Sequence, residues 1–425
     1  MRCVLTVYQE RRVNELDQRK TITKQAEEIK NDLISWRRRF HKYPELSFNE
    51  HNTASFVAEQ LDKIAGMKVE TGIAGTTGVL GTLTSGEGPT IVVRADMDAL
   101  PITEQSKKEY ASQNRGVMHA CGHDAHTAIL LGVANILGEK FQHNHIQGTV
   151  KLLFQPAEEN PDAQGNTGSK YVVSEGILEE ADAAFALHMC PWREAGEAQL
   201  NAGYSMANND MFKGTITGRG GHGAYPEQSW DPIWMTGPVM QSLYGIIARR
   251  VSPLKAGVVT VGKINSGSST NVIPEKVEIE GTIRSYDPQI QHFLTDKVKQ
   301  AFSVADSLDG ETKVEITHGE PALQNNADVI DWLKQTIEDI YPDFTIYEGP
   351  YGLGSEDFSY VTQKMPGAMF FLGCKMKNDK ERDLHTSDFD IDEACLPYGV
   401  SILTETALRY LDGTYTLKTK KKTKK

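Results

Sequence analysis

Eight consecutive residues, His119-Ala120-Cys121-Gly122-His123-Asp124-Ala125-His126, carry three imidazoles, a thiol and a carboxylate. Donors of these types are what a divalent transition metal takes, and Gly122 permits the tight backbone that lets Cys121 and His123 face one point. A structural zinc site would want a second CxxC or HxxxH half, which this chain lacks. Two further segments add donors. TVKLLFQ runs into Pro156-Ala157-Glu158-Glu159 and DAAFALH ends in His188, so carboxylates and an imidazole stand at the ends of apolar runs, where open α/β sheets place their ligands. Adjacent glutamates suit hydrolysis, because one can coordinate an ion while its neighbour moves protons. Taken singly, Glu158 and Glu159 read equally as a solvated loop, and His188 as a hydrogen-bonded core histidine. Asp96 and Asp98 in RADMDALP follow a buried strand, where carboxylates are costly unless they orient ligands or lie near cations. His385, in Leu384-His385-Thr386-Ser387, reads alone as a surface residue.

These groups need a frame to position them. Ile29, Leu33, Trp36 and Phe40 are spaced by 4, 3 and 4, one stripe of a helix that stops at Tyr43-Pro44. Val57, Leu61 and Ile64 form a second stripe, ended by Gly66. TTGVLGTL and TIVVRAD flank the turn-rich SGEGP and read as two strands joined by a loop. A helix is expected near Thr127–Leu137, buried strands at TVKLLFQ, DAAFALH and AMFFLG, and a closing helix through Leu396, Val400, Leu403, Ala407 and Leu411. The alternation indicates an α/β domain whose central sheet is flanked by helices. Between about residues 208 and 320 the order becomes β-α-β-β-α-β, a ferredoxin-like α+β unit inserted into the larger domain. The expected division is an N-terminal extension over 1–25, a catalytic domain over 26–207 and 321–414, the inserted domain over 208–320, and a basic tail over 415–425.

Composition narrows the class. The 425 residues suit two domains, and 39% hydrophobic with 24% charged residues is ordinary for a globular protein. No apolar run reaches the length of a membrane helix, and the amino terminus lacks a secretory pattern, so the expected location is cytoplasmic. Five scattered cysteines are no disulfide framework, which leaves a ligand or nucleophile as the interesting role for any of them. Six of the 45 basic residues fall in the closing KTKKKTKK; the rest of the chain sets 39 basic against 57 acidic residues, which argues against nucleic-acid binding. The tail itself reads as a solvated, disordered end.

RRRFHKYPELSFNE, RADMDALPI, HACGHDAHT, FQPAEE, ALHMCP, GGHGAYP, STNVIPEKVEIEGTIRSYD, GSEDFS and LHTSDFD occur in one order. In this the chain resembles the amidohydrolase branch of the aminoacylase/carboxypeptidase superfamily of two-metal peptidases, which includes hippurate hydrolases, N-acyl-amino-acid amidohydrolases and plant auxin-conjugate hydrolases. The resemblance spans roughly residues 30 to 412. It implies a catalytic domain with a lid and dimerisation domain, and two divalent ions per subunit: manganese or zinc, with cobalt or nickel as alternatives. Cys121 would be shared by both ions, His123, Glu159, His188 and His385 would complete the ligand set, and Glu158 would serve as general base and acid. Asp98 would lie behind the metals, and Asp96 would replace a ligand histidine of sister branches. His222 would reach the neighbouring subunit's site in a homodimer, and Asn271 and Arg284 would lie near a substrate carboxylate. The chain departs from the family's pattern at Glu227, where a second histidine often follows the proline of the HxxxP motif.

The expected reaction is metal-dependent hydrolysis of the amide bond of a small N-acyl amino acid, with neither nucleic acid nor membrane as partner. Rival readings are a metallocarboxypeptidase or dipeptidase, an N-acetyl-diaminopimelate or aminobenzoyl-glutamate hydrolase, and a non-catalytic metal-binding scaffold. The last has no need of a proton-carrying carboxylate beside a ligand, the role expected of Glu158.

Overall fold

A computed structural model describes residues 22–143, 146–377 and 382–418. They divide into two compact units. The larger holds the residues up to Gly203, Asn325–Tyr351 and those from Tyr360 onward; the smaller holds Tyr204–Gln324 with Gly352–Ser359. The smaller unit therefore begins four residues before the expected boundary and takes in 352–359, which the sequence reading gave to the catalytic domain. Backbone bonds explain the addition: Ala207 N–H donates to Gly354 O (2.8 Å) and Gly352 N–H to Ser205 O (3.3 Å).

The larger unit is built on an eight-stranded mixed sheet in the order Lys68–Ile73, Gly78–Ser85, Gly148–Gln155, Thr90–Asp96, Ala183–Glu194, Gly367–Lys375, Glu197–Leu200, Thr345–Glu348. The four strands from Gly148–Gln155 to Gly367–Lys375 run parallel and are buried almost throughout, as their unbroken apolar runs require. Gly78–Ser85 and Thr90–Asp96 are not neighbours, because Gly148–Gln155 lies between them. The alternating KVETGI and the short EAQL and TIYE gave too little apolar signal to be read as strands.

Chain order reverses at Thr90–Asp96, which leads to the strand on one side and is followed later by Ala183–Glu194 on the other. That pair runs from Ile91–Ala183 to Arg94–Ala186, so a crevice is expected beyond its carboxyl end. The crossover helix, His123–His143, starts at that end and is buried along most of its length. Gly132 is what lets its neighbours close on it: a Cβ there would meet Leu33 and Val400 at 2.7 Å.

Both chain ends of the described part belong to the core. Ile22 is buried, inside what was expected as an extension, as is Ala26 just beyond it, and Tyr415, the first residue of the expected tail, is buried and stacks on Trp332 (5.8 Å). The rest of both terminal assignments, 1–21 and 419–425, lies outside the described residues.

The smaller unit is a four-stranded antiparallel sheet, Gly257–Ser266, Lys276–Ser285, Asp210–Thr217, Glu311–His318 in spatial order, the ferredoxin-like arrangement. Its helices, Pro232–Arg250 and Pro288–Phe302, each start at an Asp-Pro pair. Asp231 accepts from Ile233 N–H (2.9 Å) and Asp287 from Gln289 N–H (2.8 Å), while proline loses nothing at a first-turn position without a backbone acceptor. Phe212, Val239, Leu243, Ile279, Leu294 and Phe302 form its core.

Candidate metal centre

The crevice gathers the donors. Cys121 precedes the crossover helix and His123 begins it, immediately after Gly122 releases the backbone at φ +93° with Met189 packed where a Cβ would sit. His188 is not at a strand end, as expected, but inside Ala183–Glu194, past the last residue paired with Thr90–Asp96. Glu158 and Glu159 follow Ala157, held at φ +50°, and His385 itself sits at φ +61°. Non-glycine residues in that region cost on the order of 1–3 kcal/mol each, and both stand beside the donors. Ala157 N–H donates to Glu50 Oε1 (2.8 Å), and His385 N–H donates to Ala120 O (2.7 Å).

Cys121 Sγ is 3.5 Å from His188 Nε2 and 3.4 Å from His385 Nε2; Glu159 Oε1 is 3.5 Å from His385 Nε2 and 3.8 Å from His123 Nε2. Ligand atoms of Cys121, His123 and His188, of Cys121, Glu159 and His385, and of His123, Glu158 and Glu159 form three groups, each within 4.8 Å. The first and second share Cys121, so one thiolate can serve two ions.

The ring tautomers follow from the partners. His123 Nδ1 faces Asp98 O (2.9 Å) and His188 Nδ1 faces Met189 O (2.8 Å); a carbonyl only accepts, so both rings carry their proton on Nδ1 and turn a lone pair on Nε2 toward the cluster. His123 Nε2 and Glu159 Oε1 are buried without a hydrogen-bond partner. Burial alone would make His123 a weaker base, but Asp96, Asp98 and Glu159 outweigh it and push its pKa up to about 10. The surroundings thus draw a cation to Nε2, and a divalent ion satisfies the same field. Burial, then Glu159 and Glu158, hold the Cys121 thiol far above its ordinary range, a penalty that ions nearby would reverse. The donor set fits a pair of divalent ions.

Behind the donors lie saturated braces. Asp98 accepts from Glu158 N–H and Glu159 N–H (3.0 Å each) and from Ser47 Oγ–H (2.6 Å), so it orients the turn that carries both glutamates. Asp96 faces His126 Nδ1 (2.6 Å) and accepts from Arg94 Nη1 (2.7 Å). Burial would raise its pKa, yet His123, Arg94 and His126 hold it well below the carboxylate range. Asp124 points away from the cluster, accepting from Arg37 Nε and bonded to His41 Nδ1 (2.8 Å each); Arg37 Nη2 also donates to Asp390 (3.0 Å). Burial pushes His119 down to about 3, which keeps it neutral. Sequence reasoning missed Arg94, Glu50, Arg37 and the bonding of His126; for Arg94 a charge inside an apolar run was the available signal, and only Asp96 and Asp98 were read that way.

The remaining expected residues lie in the smaller unit. His222 and Val272 are paired across a short ladder, which puts Asn271 beside His222, and Gly223 N–H donates to Asn271 O (2.8 Å). Both side chains are exposed. Arg284, half-buried on Lys276–Ser285, donates to Leu353 O (3.3 Å).

Residues 92–409 match the family described as Peptidase family M20/M25/M40. The chain belongs to that family. It is 37% identical to thermostable carboxypeptidase 1 of Saccharolobus solfataricus over 88% of this chain and 96% of that one. It is 36% identical to the IAA-amino acid hydrolase ILR1-like 2 of Arabidopsis thaliana, over 90% of this chain and 86% of that one. Among solved structures, a dinuclear metal-binding peptidase of the M20 family from Bacillus subtilis superposes with a TM-score of 0.78 at 28% identity, covering 91% of this chain and 99% of that one. As an M20/M25/M40 member this protein is a hydrolase of amide bonds. Among the described residues, no helix is long and apolar enough to cross a membrane.

Proposed function

We propose that this hydrolase cleaves the amide bond of N-acyl amino acids, releasing a carboxylic acid and a free amino acid. The observation that carries the reading is the convergence of Cys121, His123, Glu159, His188 and His385 on one crevice, with Glu158 beside them. Those five would hold two divalent ions, manganese or zinc, with Cys121 shared. When bound, the ions supply the positive charge that lets a water ionise near neutral pH and polarises the amide carbonyl. One thiolate and one carboxylate against two dications leave a net +2 for an anionic substrate.

Glu158 is the group that moves the proton. Its backbone is fixed by Asp98, its neighbour Glu159 would be taken up by coordination, and Glu158 beside them would take a proton from the attacking water and return it to the departing amine. Arg284 offers a planar fork suited to the substrate carboxylate, with Asn271 as a further polar contact. His222 would donate to the developing oxyanion from the partner of a homodimer joined through the smaller units. Exposed Trp230, Ile233, Trp234 and Tyr244 at and along the first helix of that unit support such an interface. The proposed location is the cytoplasm.

A second reading, metallocarboxypeptidase, is favoured by the likeness to the Saccharolobus enzyme; it keeps the same centre and changes only the acyl side. A panel run on metal-replete protein separates the two: hippurate, N-acetyl and indole-acetyl amino acids against dipeptides and longer peptides. Cleavage of the acyl amino acids with a kcat/KM above that of peptides is expected. Turnover of peptides alone would replace the first reading by the second.

A further inference from the structure

His126 belongs to the donor-rich segment but has no place in the proposed ligand set, and its surroundings show why. Its Nε2 accepts from Met189 N–H at 2.9 Å. A ring nitrogen that accepts carries no proton, so the proton of this neutral ring is on Nδ1, where it is donated to Asp96 Oδ1 at 2.6 Å. Both nitrogens are spent, the ring is buried, and Asp96 is itself held by Arg94 Nη1 at 2.7 Å. No lone pair is left for a metal. Met189 N–H belongs to the peptide that joins it to His188, and it lies past Arg94–Ala186, where the ladder to the neighbouring strand ends. The His126 side chain therefore takes over as acceptor just where the backbone partner is lost. On the other side of the same residue, Met189 O accepts from His188 Nδ1–H (2.8 Å) and from Tyr351 Oη–H (3.3 Å).

We infer that His126 is a positioning residue: by holding Met189 N–H it fixes the residue whose own carbonyl receives His188 Nδ1–H, and so aims the His188 Nε2 lone pair at Cys121. The chain Arg94–Asp96–His126–Met189 is a buried brace for one ligand of the centre, acting through backbone rather than by touching an ion or substrate. Asp98 does the same for the glutamate turn and for His123, so each side of the crevice has its own carboxylate anchor. The inference rests on the proposed two-ion centre.

Two substitutions divide the two bonds. Gln places its terminal group near the Nε2 position and can still accept from Met189 N–H; Asn reaches only the Nδ1 position and keeps the bond to Asp96 alone. The probe is Co²⁺, titrated into metal-free wild type, His126→Gln and His126→Asn, with the thiolate charge-transfer and ligand-field bands recorded and thermal unfolding of each metal-free protein measured alongside. Wild type is expected to take two ions. His126→Asn should bind one of them roughly 10–100-fold more weakly, with altered bands, the usual size of an outer-shell loss. His126→Gln should bind and absorb much as wild type does. Equal affinity and identical spectra in all three proteins would overturn the inference, as would both variants losing metal-free stability alike with unchanged Co²⁺ binding. A wild type that binds no Co²⁺, Mn²⁺ or Zn²⁺ would instead remove the two-ion centre, whatever the variants do.

Discussion

The crevice of the larger unit and the loop pair of the smaller one carry functional residues in opposite ways. His123, His188, Asp96, Asp98 and His126 are buried, and nearly every polar atom that does not face the donor cluster has a named partner. His222 and Asn271 are exposed, and their side chains bond locally: His222 Nδ1 accepts from Ala224 N–H (3.0 Å) and Asn271 Oδ1 from Ser269 Oγ–H (2.7 Å). The first region is organised before anything binds. The second has a shaped backbone and side chains whose chemistry awaits another molecule. A buried site spends folding energy on geometry, whereas an exposed one leaves that cost to the binding event.

The sharpest test of the buried region separates adjacent residues. Glu158→Gln should keep both ions and lose about 10²–10⁴-fold in kcat, the usual contribution of a positioned proton carrier. Glu159→Gln should lose metal affinity, because its Oε1 lies between His123 and His385. Metal content by elemental analysis and turnover on one N-acyl substrate decide it. Two ions in both variants, with only Glu159→Gln inactive, would exchange the two roles.

How much of this could be read beforehand differs between the regions for a physical reason. Donor types are legible in a sequence: Cys121, His123, Glu158, Glu159 and His188 stood out by residue type and position, whereas His385 read alone as a surface residue and entered the set only through the family resemblance; the structure brings all six together. The α/β class followed from apolar runs, and the ferredoxin-like insertion from element order. Braces are less legible. Arg37 lies in a helix and Glu50 just before one, places where a charged residue normally faces solvent, and only the fold shows Glu50 reaching Ala157 and Arg37 reaching Asp124. Boundaries failed where a distant segment joined a unit, as 352–359 did, because backbone pairing across some 150 residues leaves no local pattern.

A smaller effect is expected from the exposed region. His222→Ala should lower kcat by roughly 10²–10³-fold if the ring donates to the oxyanion, whereas Arg284→Ala should chiefly raise KM for substrates bearing a carboxylate. Mixing Glu158→Gln with His222→Ala subunits tests the sharing. Mixed dimers contain one site with both residues intact and should regain part of the activity. With subunit exchange verified by mass, no recovery would confine His222 to its own chain or remove it from the reaction.

The smallest effect belongs to Glu50, and it concerns stability rather than turnover. Its carboxylate accepts from Ala157 N–H (2.8 Å) and from Thr77 Oγ1–H, so it clamps the turn before Glu158. Burial, and next the negative charge of Asp98, push its pKa up from an ordinary 4.5 to about 7. Folded protein then binds a proton that unfolded chain has released, which makes the contribution favourable below pH 4.5 and progressively lost as pH rises toward 7. Glu50→Gln cannot ionise but keeps an oxygen for Ala157 N–H. Over that interval metal-free wild type should lose up to about 3 kcal/mol relative to the variant, from roughly 1.4 kcal/mol per unit of pKa. Urea unfolding of both proteins at pH 5, 6, 7 and 8 measures the difference. Parallel stability curves would show that Glu50 titrates alike in both states, and that the clamp on Ala157 holds an ordinary carboxylate. A gap that opens with rising pH would mean that the turn carrying the proton shuttle is held by a charge the fold would rather not bury, and the larger unit would owe part of its preorganisation to a group that weakens it at neutral pH.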